Sequence, residues 1–234
     1  MTERENPRRS PPSRDVGAPR SSPSRIFVTG TDTGVGKTVV SAALMLGLEA
    51  LYWKPVQAGT KEPTDTEQVR SWTGLPSHRF LPEVYRLREP TSPHAAAELE
   101  GVEIDPARIL RSAPPAGGAP IVIEGAGGLM VPLNAQSLLI DVVVGMAVPT
   151  VLVARTTLGT LNHTLLSLSE MRRREIPILG VILNGDAHES NRRAIEHYGN
   201  TQVLGRIPRL DPIDRQGLLR AFGALDWEEI EGSP

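Results

Sequence analysis

The sequence contains no cysteine, and its formal net charge is only −2. Without cysteine there is no disulfide framework, thiolate metal site or cysteine nucleophile, which fits a reducing compartment. A nearly neutral chain gives no reason to expect nucleic acid or a membrane surface as its partner. The longest apolar stretches, at 138–144 and 148–154, are interrupted by Asp141, Gly145 and Pro149. None approaches the roughly 20 residues that a membrane helix needs, so we expect a soluble, cytoplasmic protein with no nucleic-acid partner and no membrane partner.

Apolar residues are nearly absent from residues 1–24, which contain five prolines and repeated serine and arginine. Such a segment cannot bury enough surface to offset the entropy lost on ordering, so a disordered tail is predicted. A targeting peptide is the alternative, but the prolines, the acidic residues and the lack of an amphipathic helix period argue against it. We expect residues 25–234 to form one domain, because they show no internal repeat and no second domain.

The rest of the chain alternates strand-like and helix-like segments. Several of the strand-like segments are continuous apolar runs, which is typical of strands covered on both faces. The alternation predicts an α/β fold with a single doubly wound, mostly parallel sheet and helices on both faces. Ligands bind such sheets beyond the carboxyl ends of the strands. The predicted strands are 26–29, 51–56, 121–124, 150–154, 178–184 and 203–207, and the predicted helices are 37–49, 66–72, 106–112, 162–175 and 190–198.

A glycine-rich segment at 28–38, with the sequence VTGTDTGVGKT, includes the end of the first predicted strand. Its backbone N–H groups can point at phosphate oxygens without interference from side chains. In this pattern Lys37 reaches the terminal phosphates of a nucleoside triphosphate and the Thr38 hydroxyl binds Mg²⁺, at a helix N-terminus. One glycine of the usual pattern is missing, because Thr31 lies five residues before Gly36. The segment still predicts nucleotide binding and a fold of the P-loop NTPase type.

Three further polar residues lie where they could meet the same phosphates. Lys54 lies at the end of the second predicted strand, where a lysine is either simply solvated or a second cation beside a transferring phosphoryl group. Glu124 also ends an apolar strand, as the Mg²⁺-binding acid of a phosphate-loop enzyme does, although it could instead cap the glycine-rich turn that follows. The stretch TDTE, at 64–67, predicts a capped helix start. Within it, the spacing of Asp65 alone indicates no more than a charge that interacts with the helix dipole.

Three other segments carry weaker signals. Asn184 ends an apolar strand, where it could hydrogen-bond a nucleotide base edge or simply form a turn. The helix start at 159–164 offers backbone N–H groups that could receive a carboxylate. The segment EPTSPH, at 89–94, predicts a rigid polar loop that opens a helix. Nothing in its composition favours a catalytic role for His94.

These segments, in their order along the chain, resemble the dethiobiotin synthetase family from about residue 26 to residue 210. The phosphate loop is shared with many ATPases, whereas the EPTSPH loop and the LGTLNHT block are much more specific. The segments that carry the resemblance are the phosphate loop at 29–38, KPV at 54–56, EPTSPH at 89–94, EGAGG at 124–128 and LGTLNHT at 158–164.

The resemblance implies an ATP-dependent ligase of biotin biosynthesis. Members of the family convert 7,8-diaminononanoate, CO₂ and ATP, with Mg²⁺, to dethiobiotin, ADP and phosphate. A carbamate formed on one substrate amine is implied to attack the γ-phosphate. The second amine then expels phosphate from the resulting carbamic–phosphoric anhydride. The resemblance also implies a homodimer, with the diamine near the subunit interface.

The resemblance implies roles for individual residues as well. Lys37 and Lys54 are the implied catalytic residues. The implied metal ligands are Thr38, Asp65 and Glu124. Substrate contacts are implied for Lys54 and, in the other subunit, for the residues that receive the substrate carboxylate: Gly159, Thr160, Leu161 and Asn162. The implied nucleotide contacts are Thr33, Gly34, Val35, Gly36, Lys37, Thr38, Val39, Asp65, Glu124, Gly125, Ala126, Gly127, Asn184, Gly185, Pro208, Arg209 and Leu210.

The chain departs from the family pattern in three places. Ala58 stands where the family commonly has a small hydroxyl residue, so one substrate hydrogen bond could be lost or replaced by a backbone contact. Gly34 stands where some members carry an acidic residue. The first link from helix to strand, at 47–51, is shorter than usual, which puts the length of that helix in doubt.

Two other kinds of ATPase are the alternatives. A related amide-forming ATPase usually carries a separate glutamine-hydrolysing domain, for which this chain has neither the length nor a cysteine. A partitioning-type ATP switch has an extra lysine five residues before Lys37, where this chain has Asp32. The absence of that lysine and the presence of the EPTSPH loop favour the synthetase.

Overall fold

The computed structural model describes residues 23–115 and 117–227. The tail predicted at residues 1–24 lies outside these ranges except for its last two residues, and so does the end of the predicted domain, at 228–234. Within the described ranges, no helix is both long enough and apolar enough to cross a membrane.

Strands and helices alternate along most of the described chain. The strands are β1 (Arg25–Gly30), β2 (Leu51–Trp53), β3 (Val56–Ala58), β4 (Phe80–Leu81), β5 (Tyr85–Leu87), β6 (Ile121–Gly128), β7 (Thr150–Arg155), β8 (Ile178–Asn184) and β9 (Val203–Ile207). The helices are α1 (Lys37–Gly47), α2 (Asp65–Thr73), α3 (Pro93–Leu99), α4 (Pro106–Arg111), α5 (Leu139–Met146), α6 (Thr160–Arg173), α7 (Glu189–Gly199) and α8 (Arg215–Gly223), with a short 3₁₀ helix at Ser77–Arg79.

Seven of the strands form one sheet in the order β4-β2-β6-β1-β7-β8-β9, and every neighbouring pair is parallel. The strands β3 and β5 form a separate two-stranded parallel sheet. At the centre of the large sheet, Phe27 of β1 lies opposite Ile123 of β6 and Thr150 of β7. Because all seven strands run the same way, their carboxyl ends share one edge. The predicted parallel sheet is therefore confirmed.

Helices cover both faces of this sheet, which confirms the doubly wound prediction. On one face, Leu44 of α1 and Leu218 of α8 pack with Val28 of β1. On the other face, Met171 of α6 belongs to the cluster of buried side chains around Phe27. Phe27 and Val28 are neighbours in the chain, and they reach opposite cores because side chains alternate along a strand. Full burial of one such side chain contributes about 1.5–3 kcal/mol, so both faces stabilise the sheet.

The capped start predicted for the second helix is confirmed. The Thr64 hydroxyl accepts a hydrogen bond from the Glu67 N–H at 3.2 Å, and the Glu67 carboxylate accepts one from the Thr64 N–H at 2.8 Å. This reciprocal pair satisfies two N–H groups that the first turn leaves without helical partners. The helix therefore begins at Asp65, which is placed at the edge of the site.

The single strand predicted at 51–56 is wrong. The strand β2 ends at Trp53 and β3 begins at Val56, and the two belong to different sheets. Pro55 has no N–H to continue the ladder, so the chain leaves the large sheet at Lys54. The strand predicted at 121–124 is too short, because β6 continues to Gly128 through a shift in its register with β1.

Candidate functional site

The phosphate loop joins β1 to α1 at the carboxyl edge of the sheet. Gly36, the residue before the helix, has a φ of 98°, in the left-handed region that favours glycine. The Lys37 ammonium donates to the main-chain oxygen of Asp32 at 2.9 Å. Burial lowers the pKa of Lys37 to about 8, against an opposing effect of the Glu124 carboxylate and with a smaller contribution from the Lys54 cation. The loop lysine is therefore mainly charged at neutral pH but loses its proton slightly above neutrality.

Asn184, at the end of β8, packs against this loop. Its side-chain Nδ2 donates to the main-chain oxygen of buried Val35 at 3.1 Å. A β-carbon at position 36 would lie 2.1 Å from that nitrogen, whereas one at Gly34 would meet nothing within 4 Å. The loop and the end of β8 thus fit together only because residue 36 is glycine.

Four side chains predicted to serve the chemistry converge beside the loop: those of Thr38, Lys54, Asp65 and Glu124. The Thr38 hydroxyl lies 3.0 Å from Asp65 Oδ1 and 3.0 Å from Glu124 Oε1. The Lys54 ammonium lies 2.6 Å from Asp65 Oδ2 and 3.0 Å from Glu124 Oε1. These residues come from α1, the end of β2, the start of α2 and the middle of β6, so the fold assembles the cluster from distant parts of the sequence.

Lys54 and Asp65 favour the ionised form of each other. Burial by itself would lower the pKa of Lys54, but the carboxylates of Glu124 and Asp65 raise it above its ordinary value. Burial by itself would raise the pKa of Asp65, but the Lys54 ammonium and a hydrogen bond from Thr38 lower it. Buried ions are costly unless they are paired and hydrogen-bonded, and here each charge has its partner.

The oxygen atoms of the cluster suit a hard cation. Within residues 23–115 and 117–227, no group of three or more His, Cys, Asp or Glu side chains converges into a metal site. An Mg²⁺ ion needs few protein ligands when phosphate oxygens and waters complete its octahedral shell. The Thr38 hydroxyl with one or both carboxylates, from Asp65 and Glu124, is a donor set of that kind.

A cavity of about 430 Å³ opens beside this cluster. Lys54 and Asp65 line it on one side, and Thr33 of the phosphate loop, Ala126 and residues 90–93 of the EPTSPH loop complete its wall. The lining combines charged, hydroxyl and apolar groups. Such a cavity can hold a small molecule with both a hydrocarbon chain and polar ends.

The glycine-rich end of β6 borders both the cluster and the cavity. The main-chain oxygen of Gly125 lies 3.4 Å from the Lys54 ammonium. Gly127 lines the cavity with a φ of 69°, and a β-carbon there would lie 2.7 Å from a methyl group of Val131. Glycine at position 127 therefore lets β6 and Val131 pack together at the wall of the cavity.

A second cavity, of about 580 Å³, begins at Val39 in the first turn of α1. It is lined by Asn184, Trp72 and residues 208–213, which include the predicted nucleotide contacts Pro208, Arg209 and Leu210. Gly185 has a φ of 132°, and its main-chain oxygen accepts a hydrogen bond from Arg206 at 2.7 Å. The structure thus brings Asn184 and the predicted nucleotide contacts at 208–210 together around one cavity next to the phosphate loop, whereas Gly185 is not in its lining.

The helix start predicted to bind a carboxylate is not among the residues that line either cavity. Thr160 is buried, its hydroxyl bonds to the main-chain oxygen of Arg155, and its N–H donates to the oxygen of Thr157 at 3.2 Å. The N–H groups of Leu161 and Asn162 have no acceptor among the described residues. The left-handed Gly159 (φ 91°) precedes them and has no side chain to cap the helix.

Three contacts near the site are not predicted from the sequence. The Tyr52 hydroxyl donates to Glu124 Oε2 at 2.9 Å, and the Gln57 side-chain oxygen accepts from the Asp65 N–H at 3.2 Å. The Arg155 guanidinium pairs with the Asp32 carboxylate at 2.8 Å. One feature of the sequence could have pointed to Tyr52. It lies two residues before Lys54, and residues two apart in a strand share a face.

Gln57 also bears on the departure at Ala58. Its Nε2 donates to the main-chain oxygen of Ala58 at 2.7 Å, and both residues line the cavity beside Lys54. A buried amide, instead of a hydroxyl, therefore supplies polar atoms to this part of the wall.

Comparison with known proteins gives close relatives over most of the chain. The family described as AAA domain matches residues 24–217. The ATP-dependent dethiobiotin synthetase BioD of Rhodopseudomonas palustris (strain TIE-1) is 52% identical over 201 residues, which cover 86% of this chain and 93% of that protein. The protein of the same name from Agrobacterium fabrum is 50% identical over 198 residues, covering 85% of this chain and 92% of the relative.

Solved structures of lower sequence identity share the fold. The septum site-determining protein MinD of Pyrococcus horikoshii, solved with Mg-ADP, superposes with a TM-score of 0.54 at 16% identity, over 88% of this chain and 93% of that one. A ParA family ATPase of Chlorobium tepidum gives a TM-score of 0.53 at 14% identity, over 88% and 95% of the two chains. At this level of identity the similarity concerns the fold alone.

Proposed function

The chain belongs to the AAA domain family and to the ATP-dependent dethiobiotin synthetases, and from this premise we propose that it closes the cyclic urea of dethiobiotin. The substrates are 7,8-diaminononanoate, CO₂ and ATP, and ADP and phosphate are released. The observation that carries the proposal is the contact of Lys54 with both Asp65 and Glu124, beside the phosphate loop and at the wall of a cavity.

ATP is bound across the phosphate loop. The N–H groups from Thr33 to Val39 and the Lys37 ammonium are proposed to hold the phosphates, because they lie at the N-terminus of α1. The base is proposed to enter the cavity lined by Asn184 and residues 208–210. Asn184 Nδ2 donates to Val35, so its side-chain oxygen is the atom available to accept from an exocyclic amine. Gly125 to Gly127 and Gly185 are proposed as further contacts of the nucleotide.

Thr38, Asp65 and Glu124 are proposed to hold Mg²⁺ together with the phosphates. The Thr38 hydroxyl is within 3.0 Å of both carboxylates, which is the close grouping that a shared cation requires. The ion would offset charge on the phosphates. The protein's own part is to present these oxygens on rigid elements: the start of α1, the capped start of α2 and the buried strand β6.

The two lysines are proposed as the catalytic residues. In the first step an oxygen of the substrate carbamate bonds to the γ-phosphorus and the bond to ADP breaks. Charge spreads over the transferring phosphoryl group during this step, and nearby cations stabilise it. Lys37 reaches it from the loop, and Lys54 reaches it from the cavity wall. The second amine then attacks the carbamoyl carbon, phosphate departs with the electron pair, and the amine proton is lost.

The substrate is proposed to lie at the interface of a homodimer. Lys54 binds the reacting end, and Gly159 to Asn162 of the partner subunit receive the carboxylate on the N–H groups of Leu161 and Asn162. Three apolar side chains support such an interface, because they are largely exposed in the single chain: Leu158, Leu166 and Met130, the last two at 62% and 55%. Met130 and Leu166 line one cavity of about 330 Å³, which a second subunit would cover.

The remaining proposals concern the chain as a whole. Residues 1–24 are proposed to be a tail outside the single catalytic domain at 25–234, and the reaction is proposed to take place in the cytoplasm. Neither nucleic acid nor a membrane is proposed as a partner. The partitioning-type switch is disfavoured because the position of its extra lysine is held by Asp32, whose carboxylate pairs with Arg155 at 2.8 Å.

The test is the dependence of ATP turnover on the diamine. The purified protein with Mg²⁺ and ATP is expected to release ADP appreciably only when 7,8-diaminononanoate and bicarbonate are both present, with dethiobiotin detected by mass spectrometry. The Lys37→Ala variant, purified in the same way, controls for contaminating ATPases. ATP turnover that is indifferent to the diamine would contradict the synthetase and favour the switch.

A further inference from the structure

Tyr52 lies in the middle of β2, between β4 and β6, and its side chain is fully buried. Its hydroxyl donates to Glu124 Oε2 at 2.9 Å. The ring makes an edge contact with Phe80 of β4, with the centroids 6.1 Å apart. A strand on each side and an aromatic neighbour therefore hold the ring in one orientation.

The two oxygens of Glu124 have different partners. Oε1 lies 3.0 Å from both the Lys54 ammonium and the Thr38 hydroxyl. Oε2 accepts from Tyr52 alone among the described residues. A carboxylate held by a donor at Oε2 cannot rotate freely about its last side-chain bond, so the same oxygen keeps facing Thr38.

Strand geometry explains why one strand supplies donors to both oxygens. Tyr52 is opposite Val122 of β6 in the parallel register, so its side chain shares a face with that of Glu124, two residues further on. Lys54 follows Tyr52 by the same interval. Tyr52 and Lys54 therefore reach the carboxylate of Glu124 from two different positions along the chain.

We propose that Tyr52 is a positioning residue, which orients Glu124 so that Oε1 faces Thr38 and the metal of the bound nucleotide. The inference rests on the proposed function, in which Glu124 helps to hold Mg²⁺. Outer partners that fix a ligand's orientation typically change metal affinity 10- to 100-fold when they are removed.

The test compares Tyr52→Phe with Tyr85→Phe. Tyr85 is also buried and also hydrogen-bonded, since its hydroxyl accepts from the Asp105 N–H at 2.9 Å, but it lies outside the cluster. Mn²⁺ binding in the presence of ADP is measured by electron paramagnetic resonance, a readout that does not depend on activity. Tyr52→Phe is expected to weaken Mn²⁺ binding by about tenfold, while Tyr85→Phe leaves it unchanged. Equal Mn²⁺ affinity in the parent protein and Tyr52→Phe would overturn the proposal.

Glu124→Gln separates this proposal from the one on which it rests. If Glu124→Gln does not weaken Mn²⁺ binding, the metal assignment itself fails. If Glu124→Gln weakens it and Tyr52→Phe does not, only the role of Tyr52 fails. Should Tyr52→Phe not fold, as judged by thermal unfolding, Phe80→Leu takes its place, since it removes the contact that orients the ring and keeps the hydroxyl. A smaller loss of Mn²⁺ affinity is then expected, and no loss overturns the proposal.

Discussion

The two lysines of the site have opposite pKa shifts although both are buried. Lys54 has carboxylates at 2.6 and 3.0 Å, which raise its pKa against the effect of burial. Lys37 donates to the neutral main-chain oxygen of Asp32, so burial dominates and its pKa falls to about 8. At neutral pH both are mainly charged, but only Lys37 loses its charge slightly above neutrality.

Nucleotide binding is therefore expected to take up a proton at alkaline pH. Phosphate oxygens favour the charged form of Lys37 and raise its pKa, so ADP should bind more weakly as the pH rises through about 8. Because the pKa of Lys37 in the free protein is about 8, proton uptake on ADP binding should be near zero below pH 7 and about 0.7 proton near pH 8.5. Metal-free calorimetry in buffers of different ionisation enthalpy measures this uptake.

The Lys37→Met variant is the control for that measurement, because it has no amine to titrate. We expect this variant to bind ADP more weakly, with a binding enthalpy that does not depend on the buffer. An ADP affinity of the parent protein that is the same near pH 7 and near pH 9 would contradict the expected role of Lys37.

At the scale of the structural elements, the phosphate loop tolerates an added side chain much less well at Gly36 than at Gly34. Gly34 and Gly36 both have a positive φ, of 72° and 98°. A side chain in the left-handed region costs about 1–2 kcal/mol at either position. Only at Gly36 does the added carbon also collide with Asn184, whose amide holds the loop through Val35.

Gly36→Ala is expected to lose much more nucleotide affinity than Gly34→Ala. Both variants carry the backbone strain, so Gly34→Ala controls for it, and Gly36→Ala additionally displaces Asn184 from the loop and the base cavity. An extra loss of about tenfold in ADP affinity corresponds to roughly 1.4 kcal/mol, the scale of one hydrogen bond. Calorimetric titration of both variants measures it, and equal losses would show that the Asn184 contact is unimportant.

Elements whose ends are encoded locally are the ones that the sequence predicts. The start of α2 is recognised from Thr64 and Glu67, which are three residues apart, and the helix after the phosphate loop from the Gly-Lys-Thr triplet. The break between β2 and β3 is not recognised, because the choice of sheet depends on partners far along the chain. The helix α5 is not recognised either, since a continuous apolar run is compatible with a buried strand or a buried helix.

At the scale of the whole molecule, the residues of the proposed site lie in two separate regions of the single chain. The phosphate loop and Lys54 share one cavity, whereas Leu161 and Asn162 lie outside its wall. Exposed apolar side chains, Leu158 above all, lie next to that helix start. In a two-fold dimer, a second copy of the chain would cover these apolar side chains and bring the helix start of each subunit to the cavity of the other.

Mixing two inactive variants tests this division. Lys37→Ala removes the loop cation without leaving a carboxylate unpaired, since Lys37 donates to a main-chain oxygen. Asn162→Asp places a negative charge where the substrate carboxylate is proposed to bind. After subunit exchange, half of the dimers are mixed and each has one intact site, so about one quarter of the parent's diamine-dependent turnover should return.

Each variant incubated alone is the control for that experiment and should stay inactive. If mixing restores nothing although exchange is demonstrated by mass spectrometry, each site is built from a single chain, and the proposed placement of the carboxylate is wrong.

The phosphate loop, the parallel α/β architecture and the family can all be recognised from the sequence, because these depend on short motifs and on the alternation of apolar segments. It also singled out Lys54 and Glu124, since polar residues at the ends of buried strands meet at one edge of a parallel sheet. The local spacing of Asp65 indicates only a charge that interacts with the helix dipole. Its role as a metal ligand is implied by the resemblance alone.

Which of these groups contact one another cannot be read from the sequence and is set by the folded chain. The contacts of Thr38 with Asp65 and Glu124 span 27 and 86 residues, and that of Tyr52 with Glu124 spans 72. Such contacts depend on the order and register of strands that are distant in the chain, and local propensity carries no information about either. The pKa shifts of the two lysines follow from the same placement, because burial and neighbouring charge exist only once the sheet has formed.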